Sequence, residues 1–279
     1  MDDVNTGLTI LGDAIGSVKT VEKLLGSSVQ YLGNDLKNWP ELRVKNVGKI
    51  FEKFQKKLGE KIQNDGAVHP KVLKVVLNEG SFCDNELVTE YFGGILASSR
   101  NDISRDDRGV SYAALVSSLP TYQILSHYIF YKAIKALFNG RIELDVSSFK
   151  DRKMLETYIP INSYNQAINF DEKEDVLVIL PFVMSGLVRE NLIERDFEIF
   201  SGEKIVYCGG KGVVFCPTAL GVELFHWAHG KGNVPTTDFL QTNCEFSFET
   251  EIQIPADMKS VATALDQARQ IMERFKPTF

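Results

Sequence analysis

The sequence predicts a mainly α-helical protein: a multi-helix N-terminal part, then a C-terminal winged-helix-like α+β module with a small antiparallel β-sheet. Three observations carry this expectation. Apolar residues recur at three- and four-residue steps through most of the first half, the spacing of one helix face. Over residues 176–228 the pattern becomes helix, polar turn, short β-prone runs and helix again. Glycines mark the turns there, at Gly202 and at Gly209-Gly210-Lys211-Gly212, where hairpins need backbone conformations that glycine tolerates.

Residues 4–37 place Leu8, Leu11, Ile15, Val18, Val21, Leu25, Val29 and Leu32 at helical steps, with glycines between them. Each interior glycine costs about 1 kcal/mol of helix relative to alanine, so close helix packing is the expected return. Trp39-Pro40 interrupts the run. Over 41–63 one face is Val44, Val47, Ile50, Phe51, Phe54, Leu58 and Ile62. The other carries Arg43, Lys45, Lys49, Lys53, Lys56, Lys57 and Lys61 against Glu41, Glu52 and Glu60. Such a face suits an acidic partner or an anionic lipid surface, and these seven cations are the candidate contact residues. A solvated face with local ion pairs is the plainer alternative.

Asn64-Asp65-Gly66 closes this amphipathic first segment, residues 1–66. A helical domain over 67–139 follows. His69-Pro70 opens a helix through Leu77, Asp84 caps one over 86–98, residues 99–109 form a polar loop, and helices cover 110–118 and 122–138. Residues 140–235 form the winged-helix-like module with an insertion. In it, 142–146 is expected as a short strand and Ser148 as the start of a helix reaching Tyr158. Asp171-Glu-Lys-Glu174 is the capping signal for the central helix. The wing is expected as a hairpin of 196–200 and 203–208, with 213–216 as the next strand and Thr218 capping the helix behind it. Residues 236–279 add an alternating strand through Phe246, Phe248, Thr250 and Ile252, then a helix over 256–275.

The formal net charge is −6. The first 66 residues hold 10 basic and 9 acidic side chains, leaving 21 and 28 for the remainder. An acidic main body gains little from phosphate contacts, so nucleic-acid binding is disfavoured. The four cysteines include no CxxC pair, which suits a reducing compartment and buried thiols. The N-terminus lacks the basic region of a secretory signal, and no uncharged apolar run reaches the roughly 18 residues of a membrane span. A cytoplasmic protein is expected, with peripheral membrane association through the N-terminal helices as the variant of that reading.

The chemistry-bearing patterns all have plainer explanations. His226 and His229 stand one helical turn apart, and Cys208 and Cys216 precede them, but C-x7-C-x9-H-x2-H is unlike compact zinc sites. Core thiols and surface histidines are expected instead, with no metal. Gly209-Gly210-Lys211-Gly212 precedes β-prone residues, where a phosphate loop needs a helix N-terminus. No Gly-x-Ser-x-Gly elbow occurs. The expectation is therefore no catalytic residue, no cofactor and no enzyme. Were the module to read DNA, Arg189, Arg195 and Lys211 would meet it, yet residues 194–211 hold three cations against four carboxylates.

Several segments recur together in this order: His-Pro-Lys-Val-Leu from His69, Asp-Asn-Glu-Leu-Val-Thr-Glu-Tyr-Phe-Gly-Gly-Ile-Leu-Ala-Ser from Asp84, Ser-Tyr-Ala-Ala-Leu-Val-Ser-Ser-Leu-Pro from Ser111, Leu-Val-Arg-Glu-Asn-Leu-Ile from Leu187, and Thr-Ala-Leu-Gly from Thr218. With the basic amphipathic helix ahead of them, they resemble the abortive-infection alpha (Abi-alpha) family of bacterial phage-resistance proteins, over roughly residues 20–230. The chain departs from that pattern in a longer 139–170 segment and in the elements after residue 240. The resemblance implies a mainly helical cytosolic protein of antiviral defence and supplies no catalytic residues. The reading is a non-enzymatic interaction or effector protein that meets a protein partner or phage component through helical surfaces, with self-association also open. A winged-helix DNA-binding regulator and a membrane-active effector are the alternatives.

Overall fold

The helical periodicity is realised as thirteen α-helices among the described residues, which are 2–103, 105–250 and 252–274 of a computed structural model. The chain divides into two units, one of residues 1–121, 224–234 and 246–250, the other of residues 122–223, 235–245 and 251–279.

The first unit holds α1 (Asp2–Ile15), α2 (Val18–Leu25), α3 (Glu41–Leu58), α4 (Pro70–Gly80), α5 (Glu86–Ser99) and α6 (Gly109–Ser118). The apolar run over 4–37 is broken at Gly16, whose φ of 86° no helix can continue, and Ser17 caps the restart by accepting from Thr20 N–H. Strands β1 (Ala67–Val68) and β2 (Arg100–Asn101) pair antiparallel. Arg100 then sends its guanidinium to the carbonyls of Lys23, Leu24, Lys61 and Asn64, where two helical segments end with open acceptors.

Helix α5 has no solvent face. Asn85, not the expected Asp84, caps it, its Oδ1 accepting from the N–H groups of Leu87 and Val88 at 3.0 and 3.2 Å. Every residue from Leu87 to Ser99 is buried, as a helix without a polar stripe requires. The Gly93-Gly94 pair lets two neighbours approach its backbone. A Cβ on Gly93 would lie 2.6 Å from Lys53 Cβ on α3, and one on Gly94 would overlap the Ala228 carbonyl. Ser98 Oγ donates to the Trp227 carbonyl at 3.1 Å and accepts from Gly232 N–H at 3.0 Å, fixing the returning 224–234 segment.

The second unit holds α7 (Thr121–Phe138) but for its first residue, α8 (Phe149–Met154), β3 (Thr157–Pro160), α9 (Ile161–Ile168), α10 (Val176–Arg189), β4 (Glu198–Ile199), α11 (Glu203–Cys208) and β5 (Gly212–Phe215). The start of α12 (Ala219–Ala228), β6 (Lys259–Ser260) and α13 (Val261–Arg274) complete it. The strands form one small antiparallel sheet in the order β4-β5-β3-β6, with Tyr158 opposite Val214 and Ile199 opposite Val213. A mainly helical fold with a small antiparallel sheet in its C-terminal part is thus what the sequence encodes.

Several expected elements differ. Residues 203–208 are helix α11, not the second wing strand. Ile205 and Cys208, three apart, both enter the cluster of Tyr158, Val214 and Val261, whereas a strand would turn them to opposite faces. Strand β4 therefore pairs with β5 across that helix. Residues 142–146 form turns instead of a strand, because Asp145 takes the N–H and hydroxyl of Ser147 and bends the chain locally. The helix capped by Ser148 stops at Met154, and Thr157–Pro160 becomes the central strand β3. Asp175 caps α10 by accepting from Leu177 N–H, while Asp171 and Glu174 close a turn ahead of it. Residues 246–250 are not a strand: Phe246 and Phe248 pack on the rings of His226, His229 and Tyr91 with no neighbouring ladder. The last helix starts at Val261, five residues later than expected; its expected end at Phe275 lies outside the described residues.

A polar knot on α7 ties this unit together. Tyr131 Oη donates to the Leu192 carbonyl at 2.6 Å and accepts from Thr218 N–H at 3.0 Å. Thr218 Oγ1 donates to the Asn191 carbonyl at 2.6 Å and accepts from Gly221 N–H at 3.1 Å, capping α12 as expected. Asn191 itself has φ 55°, the left-handed turn that ends α10. One turn back on α7, His127 Nε2 lies 3.0 Å from the Gly221 carbonyl, so that nitrogen carries the proton. Burial drops the His127 imidazole to a pKa of about 3, leaving it neutral, and pushes the Tyr131 phenol up.

Gln123, also on α7, is fully buried against Gly186, and neither amide atom has a hydrogen-bond partner among the described residues. An unsatisfied buried polar group costs about 1–3 kcal/mol. Gln123→Met, similar in shape, is expected to raise the urea midpoint; a lower midpoint would show that the amide has a partner. Tyr131→Phe strands Leu192 O and Thr218 N–H and is expected to lose about 1–3 kcal/mol in the same titration.

Candidate functional site

The seven cations of α3 and its continuation do not form a free basic face. Glu90, on the buried helix α5, lies beneath them. Its carboxylate meets Lys53 Nζ at 2.9 Å and Lys57 Nζ at 2.6 Å, and accepts from Glu249 N–H at 3.2 Å. Glu249 in turn binds Lys53 at 2.9 Å and Lys56 at 2.8 Å. The Lys53 and Lys57 side chains are only 11% and 9% exposed. Lys49 pairs with Glu86. Lys45 and Lys61 are exposed, and no ion pair holds either among the described residues. The plainer alternative, a face with internal ion pairs, describes Lys49, Lys53, Lys56 and Lys57.

The electrostatics of this cluster follow from its burial. Desolvation alone would raise the Glu90 carboxyl, but the charges and hydrogen bonds of Lys57 and Lys53 together hold it below its ordinary value. Desolvation pulls Lys57 below its usual range despite Glu90, while Glu249 and Glu90 outweigh it at Lys53, which is raised. The bonds from Lys56 and Lys53 take Glu249 down to about 2.

Arg43 serves a different structure. Its guanidinium lies 4.0 Å from the Trp39 ring centre and 4.3 Å from that of Phe82, between the two rings. Nε and Nη2 both donate to Ser81 Oγ, at 3.0 and 2.8 Å, and Asn46 Nδ2 holds the Ser81 carbonyl at 3.0 Å. Phe82 is nonetheless 72% exposed, and Leu42 beside Arg43 faces solvent. Trp39 also lines a groove of about 440 Å³ with Tyr31, Leu36, Leu77 and Lys74. The Trp39–Arg43 spacing of four was visible in the sequence; Phe82, brought in by the turn after α4, was not.

The remaining candidates are placed as follows. Arg189, at the end of α10, pairs with the adjacent Glu190 at 2.8 Å; Arg195 and Lys211 are exposed. His226 and His229 are buried, contrary to the surface position expected. The Nδ1 of His226 bonds Val234 O at 3.1 Å, that of His229 bonds Phe225 O at 2.7 Å, and both rings stack on phenylalanines. They belong to the first unit, whereas Cys208 and Cys216 belong to the second, with burial raising these thiols to about 11 and about 12. Among the described residues no group of three or more His, Cys, Asp or Glu is placed to hold a metal ion, and no helix is long and apolar enough to cross a membrane.

Compared with protein-family models, curated proteins and solved structures, the chain matches none.

The buried carboxylate gives a pH signature. Its folded pKa is depressed, so its stabilisation is fully present above the ordinary value of 4.5 and is lost as the pH falls through the lower folded value. Glu249 extends the loss toward pH 2. Glu90→Gln is expected to lose about 3 kcal/mol at neutral pH and to flatten the acid limb of a melting-temperature profile. A variant as stable as the parent, with the same acid limb, would contradict this account.

Proposed function

We propose that this chain is a non-enzymatic interaction or effector protein of bacterial anti-phage defence, acting by presenting helical surfaces to a protein partner or phage component. The observation that carries the interaction reading is the Arg43 guanidinium held between Trp39 and the exposed Phe82, beside exposed Leu42. Protein interfaces concentrate their energy in tryptophan, tyrosine and arginine set in such pre-ordered clusters. Ser81 orders Arg43 beforehand, which lowers the entropy lost on contact.

The defence context rests on the resemblance to the Abi-alpha family. The segments that carry the resemblance include buried parts of both units. The segment from Asp84 becomes the buried α5, and the 187–193 and 218–221 segments are joined through Tyr131 and Thr218. The succession of α10, the β4–β5 pair and α12 supports a winged-helix-like reading of the second unit, with α11 standing where a second wing strand was expected. A protein partner is favoured over lipid headgroups because Lys49, Lys53, Lys56 and Lys57 already have carboxylate partners within the chain.

A plaque assay tests the reading. Cells carrying the chain are expected to lower phage plating by at least an order of magnitude across a phage panel. Phe82→Asp and Leu42→Asp, both outward-facing changes, should abolish protection with an unchanged melting temperature. Equal plating with and without the chain refutes the defence role, and full protection by both variants refutes this surface.

A further inference from the structure

Residues 246–250 are a short excursion into the first unit: the chain on either side, 235–245 and 251–279, belongs to the second. They form neither helix nor strand, and Ser247 and Glu249 are exposed. Side chains make the contacts that hold them. The Phe248 ring centre lies 3.9 Å from that of His229, with the planes 10° apart. It also meets Tyr91 edge-on at 5.9 Å and has Lys57 Nζ 4.4 Å away. Two residues back, Phe246 is buried against Phe225 and His226, ring centres 5.0 and 5.2 Å apart. Glu249 follows with its carboxylate on Lys53 and Lys56 and its N–H on Glu90.

This arrangement has the parts of a peptide complex within one chain. Extended peptides are recognised through pockets for alternate side chains, and positions 246 and 248 fill two such pockets while 249 supplies a charge. The socket beneath has a definite chemistry. Tyr91, Phe225 and His229 give it aromatic walls. Without Glu249, three lysines stand against the single carboxylate of Glu90, an excess of two positive charges. Charge of that sign favours an acidic strand and repels a basic one. A segment held by its side chains, with no secondary structure of its own, opens at less cost than the unit as a whole. We infer that the first unit carries a recognition socket for an extended Phe-x-Phe-Glu segment of a partner protein, and that residues 246–249 are a built-in competitor occupying it. A partner segment of that order remakes each contact the competitor gives up, so relative affinity and concentration decide the exchange. The socket uses none of Trp39, Arg43 and Phe82, and the inference does not depend on the surface proposed above.

The probe is the chain's own sequence supplied in trans: a fluorescein-labelled Glu-Phe-Ser-Phe-Glu-Thr peptide, residues 245–250, titrated with the full chain and read by anisotropy. In the parent the built-in copy competes at an effective concentration on the order of 1 mM, so weak binding is expected. Two variants open the socket. Glu249→Lys sets like charges beside Lys53 and Lys56, and Phe248→Ser removes the stacked ring. Each should bind the peptide at least about tenfold more tightly than the parent does. Peptides carrying Phe248→Ala or Glu249→Lys should bind the opened chain at least about tenfold less well than the unaltered peptide. Both chain variants should keep the circular dichroism of the parent. Should Phe248→Ser lose its fold, Glu249→Lys, altered at an exposed side chain, decides alone. Equal affinity of parent and Glu249→Lys, binding by neither, or indifference to the altered peptides would overturn the proposal. So would a concentration-dependent dimer of the parent that the peptide dissolves, which would make the occupant a second copy of this chain.

Discussion

A carboxylate on a helix without a solvent face must be neutralised where it stands, and Glu90 on α5 imposes that condition on the first unit. Removing a charge from water costs several kcal/mol unless opposite charge and hydrogen bonds replace the lost hydration. Lys53 and Lys57 on α3 and the N–H of Glu249 supply them. The requirement sets the position of α3 along α5, which the close contact at Gly93 permits. It also brings in residues 246–250, whose Phe248 lies under Lys57 and against His229. One buried charge thus joins three segments and takes up Lys53 and Lys57, two of the cations that the helical pattern offered to a partner.

The second unit meets the same problem with neutral groups. Tyr131 and Thr218 between them satisfy the Asn191 and Leu192 carbonyls and the N–H groups of Thr218 and Gly221, at the point where α10 ends and α12 begins. A helix end buried without such partners would leave backbone groups desolvated. Gly221 is required there because any side chain would strike the Tyr131 hydroxyl. The Thr-Ala-Leu-Gly segment is accordingly a cap and a clearance, which explains its residue types without a ligand. Gln123, unsatisfied a short distance along the same helix, is the place where this unit departs from the rule.

Many local signals were legible where the residue and its partner lie close in sequence. The helices starting at Glu41 and Pro70, the Ser148 and Thr218 caps and the strand expected over 213–216, found one residue earlier at Gly212–Phe215, all follow from periodicity, proline and hydroxyl positions within one turn. Some failures are local, as at the Asn85 and Asp175 caps and the Asp145–Ser147 turn, where neighbouring polar residues offered rival caps or bends; the larger ones come from long-range partners. Whether Ile205 and Cys208 lie on a strand or a helix depends on Tyr158 and Val261, each more than forty residues away. Phe246 and Phe248 alternate as a strand would, yet find aromatic rings instead of a neighbouring backbone. The basic face was legible as a pattern but not as a surface, because Glu90 and Glu249 carry no local mark of pairing with it.

The distribution of side chains bears on what the chain does. Groups that commonly perform chemistry are committed inside: His127, His226 and His229 to backbone carbonyls, Lys53 and Lys57 to Glu90, and Cys216 to a buried position beside Glu156. Burial tunes them away from reactivity, holding the imidazole of His127 neutral and the Cys216 thiol protonated. Large apolar groups lie outside instead, at Leu42 and Phe82 in one unit and along Leu177, Val178 and Phe182 in the other. Leaving such groups in water has an energetic cost that contact with another molecule would recover.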